Sequence, residues 1–212
     1  YLFVDTAGIR RKGRVSLRVE KYSVVMALKS IERSDVALVL LDAGEGIADQ
    51  DARIAGYTHE AGKACILVVN KWDLLKDTNA ERAEFTERIR TKLKFVTTAP
   101  ILFVSAITGL GLPDLFPTID QVMESYTRRI PTGALNDLLA TALERHPPAH
   151  FKGRAVKMSY ITQVDTRPPR FVIFTNHPEG IHFSYTRYLQ NHIRERYGFV
   201  GTPLLLHYRR KG

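Results

Sequence analysis

Four short, continuous apolar runs, each closed by a polar residue, constrain this chain more than any other feature. They are Tyr1–Val4 ending at Asp5, Val36–Leu41 at Asp42, Ala64–Val69 at Asn70, and Ile101–Val104 at Ser105. Continuous rather than alternating hydrophobicity is the mark of strands buried on both faces, as in a parallel sheet between helices. The segments between the runs carry helical spacing. Val24, Val25, Leu28 and Ile31 share one face, as do Phe85, Ile89 and Leu93. Thr78 and Glu81 form a capping box ahead of the second of these. Leu112, Leu115, Phe116, Ile119, Val122, Met123 and Tyr126 mark a further helix. Alternating strands and helices predict a doubly wound α/β domain over residues 1–130. The polar closing residues then line the carboxyl edge of the sheet, where such folds bind ligands.

A boundary falls near Ile130-Pro131-Thr132-Gly133. Beyond it, residues 131–212 read as helix, strand, strand, helix, strand. The helix after Thr132 or Gly133 ends before Pro147-Pro148, and Ala155–Val164 and Arg170–Thr175 are strands joined through Arg167-Pro168-Pro169. Tyr185–Tyr197 is a helix and Pro203–Tyr208 a last strand. This is a compact α+β domain of a size that folds alone. Charge separates the parts. Residues 131–212 hold 12 Lys and Arg against 5 Asp and Glu, whereas residues 1–130 hold 19 against 17. A polyanion such as RNA is therefore drawn to the second part. No apolar run approaches the roughly 20 residues that span a bilayer, so no membrane span is expected. The single cysteine, Cys65, sits inside an apolar run and suits a reducing, cytoplasmic setting. Six of the seven histidines lie between His146 and His207 without zinc-like spacing, and are read as scattered surface or core residues.

Three motifs stand in order on the predicted strand ends. Asp5-Thr6-Ala7-Gly8 fits D-x-x-G, Asn70-Lys71-Trp72-Asp73 fits N-K-x-D, and Ser105-Ala106 fits S-A. An Asp at a strand end can hold Mg²⁺ through water, and the Gly N–H can meet a γ-phosphate. The Asp73 carboxylate can accept from the N1–H and N2–H₂ edge of guanine, a donor pair that adenine lacks. Asn70 can bridge the base to neighbouring loops, the Lys71 stem can cover its face, and the Ala106 N–H can donate to O6. Nucleotide contacts are thus expected at Asp5, Thr6, Ala7, Gly8, Ile9, Asn70, Lys71, Trp72, Asp73, Ser105 and Ala106. No G-x-x-x-x-G-K-[ST] phosphate cradle occurs among the 212 residues. The sequence opens on the strand that carries D-x-x-G, and truncation is the simplest account. The first part is accordingly expected to be a partial P-loop NTPase-type sheet with helices on both faces, lacking the P-loop and first switch. The fragment alone is expected neither to bind GTP tightly nor to hydrolyse it.

These stretches are similar to the Der (also called EngA) family of bacterial GTPases. The similarity runs through Asp5-Thr6-Ala7-Gly8-Ile9-Arg10-Arg11-Lys12-Gly13, Glu20-Lys21-Tyr22-Ser23, Ile31-Glu32-Arg33-Ser34-Asp35 and Asn70-Lys71-Trp72-Asp73-Leu74. It continues through His182-Phe183-Ser184-Tyr185, Arg187-Tyr188-Leu189 and Gly198-Phe199-Val200-Gly201-Thr202-Pro203. The resemblance implies two tandem GTPase domains and a KH-like domain, of which this chain would carry part of the second GTPase domain and the KH-like domain. The missing first GTPase domain would then be a partner in cis. It further implies binding of GTP and GDP with Mg²⁺, GTP hydrolysis in the intact protein, and a role in assembling the large ribosomal subunit on its RNA. A potassium ion can also serve the family, but the residue expected to help hold it lies in the absent P-loop. Ile9 stands where Ras-like GTPases have the Gln that orients water, and the family shares this hydrophobic substitution. Gly198-Phe199-Val200-Gly201 has G-x-x-G spacing but lies between a helix and a strand, so it reads as a helix C-cap and turn rather than an RNA clamp. Weak RNA contact is expected instead from Arg167, Arg170, Arg209, Arg210 and Lys211. Two alternatives remain: an RNA- or ribosome-binding module with a vestigial nucleotide site, and an Era-like GTPase, which should show a polar G-x-x-G between helices.

Overall fold

The computed structural model describes residues 1–4 and 27–210. Asp5, Thr6, Ala7, Gly8, Ile9, Arg10, Arg11, Lys12 and Lys211 lie outside the described residues, as do Val24 and Val25. The chain divides into two compact units, Tyr1–Met123 and Glu124–Gly212.

In the first unit, residues 27–33 are helical and lead into β1 (Val36–Asp42). There follow α1 (Asp49–Glu60), β2 (Ala64–Asn70), α2 (Asn79–Lys92), β3 (Ile101–Phe103) and α3 (Leu115–Thr127), whose last four residues fall in the second unit. The strands form a parallel sheet in the order β1-β2-β3. β2 is central, and its first six residues are all buried, which is why its sequence is apolar without alternation. On one face, Leu67 and Val69 join Val39, Leu41, Trp72, Phe85, Ile89 and Leu93 in one cluster. Ile66 and Val68 alternate to the other face and are also buried. Thr78 caps α2: its hydroxyl accepts from Glu81 N–H at 3.2 Å, and the Glu81 carboxylate accepts from Thr78 N–H at 3.1 Å. Cys65 is buried, and burial pushes its thiol up to about 12.

One expected strand does not form. Residues 1–4 are not in a strand and all four are exposed. Tyr1 donates its hydroxyl proton to Asp120, and Tyr1 and Phe3 pack on Phe116 with centroids 5.1 and 6.1 Å apart. A strand needs a hydrogen-bonded neighbour, and among the described residues this run has none.

The second unit contains α4 (Thr132–Arg145), β4 (Met158–Asp165), β5 (Arg170–Thr175), α5 (Phe183–Tyr197) and β6 (Leu205–Arg210). β4 pairs antiparallel to β5, and β5 parallel to β6. Its core joins Leu135 and Leu139 of α4, Leu189 and Ile193 of α5, and Ile161, Phe171 and Ile173 of the sheet. β4 starts three residues later than its apolar pattern suggests. A bridge between Phe151 and Arg154 makes a tight turn, with Lys152 and Gly153 at φ of 48° and 75°. Asn176 then ties down the lead-in, accepting from Lys157 N–H and donating to the Ala155 carbonyl. The free edge of β4 is closed by side chains that imitate a strand. Asn136 exchanges both of its amide groups with the Ile161 backbone at 3.0 Å. The buried Gln163 accepts from Ile130 N–H at 2.8 Å and donates to the Arg128 carbonyl at 2.8 Å. An open edge would otherwise be a template for foreign strands.

Candidate functional site

The parallel register sets the carboxyl edge of the first sheet. Asp42 stands opposite Asn70, and the Ala43 N–H reaches the Asn70 carbonyl at 2.9 Å. Immediately after β2, Lys71 takes a left-handed conformation at φ 62°, ψ 33°. This reverses the chain into a 3₁₀ turn, Trp72–Leu74. The turn is anchored from within. Trp72 is wholly buried, donates its N–H to the Val104 carbonyl at 3.0 Å, and packs on Phe103 and Phe85. Its indole N–H donates to Asp77 at 2.6 Å, and Arg82 donates to the same oxygen at 2.6 Å. These two contacts hold the Asp77 carboxyl below the usual range, Arg82 more than Trp72. Of the four N-K-x-D residues, Trp72 is therefore the one whose side chain anchors the loop from within. Asp73 is exposed, and its carboxylate has no partner among the described residues.

The S-A element meets this turn from β3. Ser105 is wholly buried; its hydroxyl accepts from Thr108 N–H at 3.1 Å and its carbonyl from Gly109 N–H at 2.9 Å. This curls residues 105–110 into a closed loop with Ala106 exposed. Gly111 seals its base. At φ 68° a Cβ would overlap the Phe103 carbonyl oxygen, so the loop can approach β3 this closely only with glycine. The two motifs are joined by one bond: the Ala106 N–H donates to Asn70 Oδ1 at 3.1 Å. The Ala106 donor expected for guanine O6 is therefore shared with Asn70. Sequence reasoning treated Asp42 only as a strand end. The structure pairs it with Lys71, Nζ to Oδ2 at 2.7 Å. A polar residue closing the strand beside Asn70 was the available signal. The phosphate side of the site, including the Mg²⁺ role given to Asp5, falls outside the described residues.

In the second unit the expected basic residues separate. Phe171 and Ile173 of β5 face the core, with Leu206 and Tyr208 packed against the same cluster. The register therefore puts Arg170, Phe174, His207 and Arg209 on the opposite face. Tyr160 pairs with Phe174 at 5.9 Å and is 41% exposed. Arg209 is exposed there, whereas Arg210 donates to Glu179 at 3.2 Å. The Arg170 Nε is buried and has no acceptor among the described residues. Arg167 is exposed beside a cis Arg167-Pro168 bond. The G-x-x-G segment is a structural turn. Gly198, at φ 83°, caps α5 and donates to the Arg194 carbonyl at 2.8 Å. Phe199 is wholly buried against Phe171. Arg194 clamps the turn through the Phe199 and Thr202 carbonyls at 2.7 and 2.6 Å, and burial pulls its guanidinium down to about 10.

A parallel α/β sheet with an N-K-x-D loop bonded to an S-A loop, followed by a KH-like α+β unit, defines the class: a GTPase-type domain joined to a KH-like domain. Residues 129–209 match the KH-domain-like family of EngA bacterial GTPase enzymes, C-terminal, and residues 21–125 match the elongation factor Tu GTP binding domain. GTPase Der of Geotalea uraniireducens is 53% identical over 97% of this chain and 47% of its own length. GTPase Der of Citrifermentans bemidjiense is 54% identical over 99% of the chain and 48% of its own length. The chain belongs to the Der (EngA) family, and it spans about half the length of the curated relatives it matches. Among solved structures, Era of Aquifex aeolicus bound to GDP and aluminium fluoride aligns at TM-score 0.47 and 20% identity, covering 98% of this chain and 75% of that one.

Proposed function

We propose that this chain supplies base selection and a basic docking unit to a GTP-binding, GTP-hydrolysing factor that acts in assembly of the large ribosomal subunit. One observation carries the reading. Asn70 and Ala106 are bonded across two loops at 3.1 Å, and Asp73, three residues after Asn70, is exposed with no partner among the described residues. A carboxylate at this place can accept two hydrogen bonds from the N1–H and N2–H₂ edge of guanine, a donor pair that adenine lacks. The nucleotide itself supplies the phosphoryl group to be cleaved, and Mg²⁺ held through Asp5 would neutralise its charge. Ile9 cannot orient water, so hydrolysis depends on another group, a bound cation or a partner. The second unit, whose residues 131–212 carry an excess of seven positive charges, supports docking on ribosomal RNA. Its G-x-x-G segment is spent on capping α5, which favours docking by the sheet surface over a KH-type clamp.

The test compares the 212-residue chain with the same chain joined to its natural upstream sequence. The longer protein is expected to hydrolyse GTP and to sediment with large ribosomal subunits, and the 212 residues alone to bind GTP weakly. Nanomolar GTP affinity of the 212 residues would overturn the assignment of phosphate binding to the upstream sequence. Loss of both activities in the longer protein would favour a vestigial site.

A further inference from the structure

We infer that Asp42 is a positioning residue of the base loop: its carboxylate fixes Lys71, and through Lys71 the turn that presents Asp73. The inference rests on the guanine reading above. Each oxygen of Asp42 has a separate task. Oδ1 accepts from the Gly44 and Glu45 N–H groups at 2.9 and 3.1 Å, which orients the carboxylate. Oδ2 is then aimed at Lys71 Nζ, 2.7 Å away. Asp42 ends β1 and Lys71 follows β2 directly, and the register of the two strands brings Asp42 beside Asn70. Lys71 is also the one residue of its turn held left-handed, a conformation that costs energy for a side chain with Cβ and persists only when its surroundings fix it. The electrostatics agree in direction for both partners. The Lys71 ammonium holds the Asp42 carboxyl below its ordinary range, aided by the two backbone amides, and Asp42 raises Lys71. Charge at the end of β1 therefore acts on the loop after β2.

The distinction is between positioning and competition. If the pair positions Lys71, losing the Asp42 charge loosens nucleotide; if it sequesters Lys71, losing the charge tightens it. Asp42→Asn keeps an oxygen for the two backbone amides and removes only the charge, and Asp42→Ser is a second variant that lacks the charge and offers a shorter, weaker acceptor to the same amides. The measurement is the dissociation rate of a fluorescent GDP analogue from the chain joined to its natural upstream sequence, at low and high salt, with thermal unfolding alongside. We expect both variants to release GDP about two- to fivefold faster at low salt, the range of an exposed ion pair. The difference should shrink at about 1 M salt, where such pairs are screened, with unchanged unfolding temperature. Release as slow as wild type, slower release, or an acceleration indifferent to salt would each overturn the role of Asp42. A wild type that binds ADP as well as GDP would instead remove the base-loop reading and this inference together.

Discussion

Cys65 shows how burial turns a reactive group into packing. Its thiol lies within β2, 2% exposed, and its pKa is pushed up to about 12 from an ordinary 9.0. The folded chain therefore holds this proton where the unfolded chain releases it. Stability should fall as pH rises from about 9 toward 12, because the unfolded state alone gains by ionising there. Denaturant midpoints for wild type and Cys65→Ala across that range check the sign. The wild type is expected to lose stability with pH more steeply, and parallel curves would contradict the assignment. Trp72 is the same lesson at the site. Its place inside N-K-x-D suggests nucleotide contact, but the ring is wholly buried and fastened to Asp77, whereas the neighbouring Asp73 is exposed.

Among elements, the edge of β4 is the clearest case of polar side chains doing the work of a strand. Gln163 is 5% exposed and serves both Ile130 N–H and the Arg128 carbonyl. Gln163→Leu keeps the bulk but strands both groups, and should cost about 2 kcal/mol in chemical denaturation. Gln163→Glu still accepts from Ile130 N–H but cannot donate to the Arg128 carbonyl, and it should also destabilise; an unchanged midpoint for both variants would contradict the edge-closing role. No periodicity announces such a contact, because it depends on two segments 33 residues apart. The strands were legible for the opposite reason: continuous burial of β2 writes itself directly into a continuous apolar run. The Thr78–Glu81 cap was legible because its partners are three residues apart. Tyr1–Val4 misled because an apolar run records the wish to be buried and not the neighbour that buries it. The late start of β4 was hidden by Lys152 and Gly153, whose left-handed turn has no hydrophobic signature. At the site, the motif residues could be read from spacing, whereas the Asp42–Lys71 pair arises only from sheet register.

At the scale of the whole molecule, charge and chemistry are divided between the two units. The second unit carries the positive excess, and its exposed cations are unequal. Arg209 shares the outer sheet face with Tyr160 and Phe174, whereas Arg210 is paired with Glu179. Arg209→Glu should therefore weaken binding to ribosomal RNA and lower the salt slope by about 1, and Arg210→Glu should do less. Filter binding across a salt series measures both, and equal effects would show that the face does not discriminate. We propose that selectivity lies in the first unit, where Asp73, on the turn that Trp72 anchors next to the Asn70–Ala106 bond, chooses guanine. The direct measurement is the ratio of GDP to ADP affinity for the chain joined only to the upstream segment that completes its own GTPase domain, in wild type and Asp73→Ala. Wild type is expected to prefer GDP by at least about 100-fold, a preference collapsing toward unity in Asp73→Ala; equal affinities in wild type, or a preference that survives the substitution, would rule out selection by Asp73.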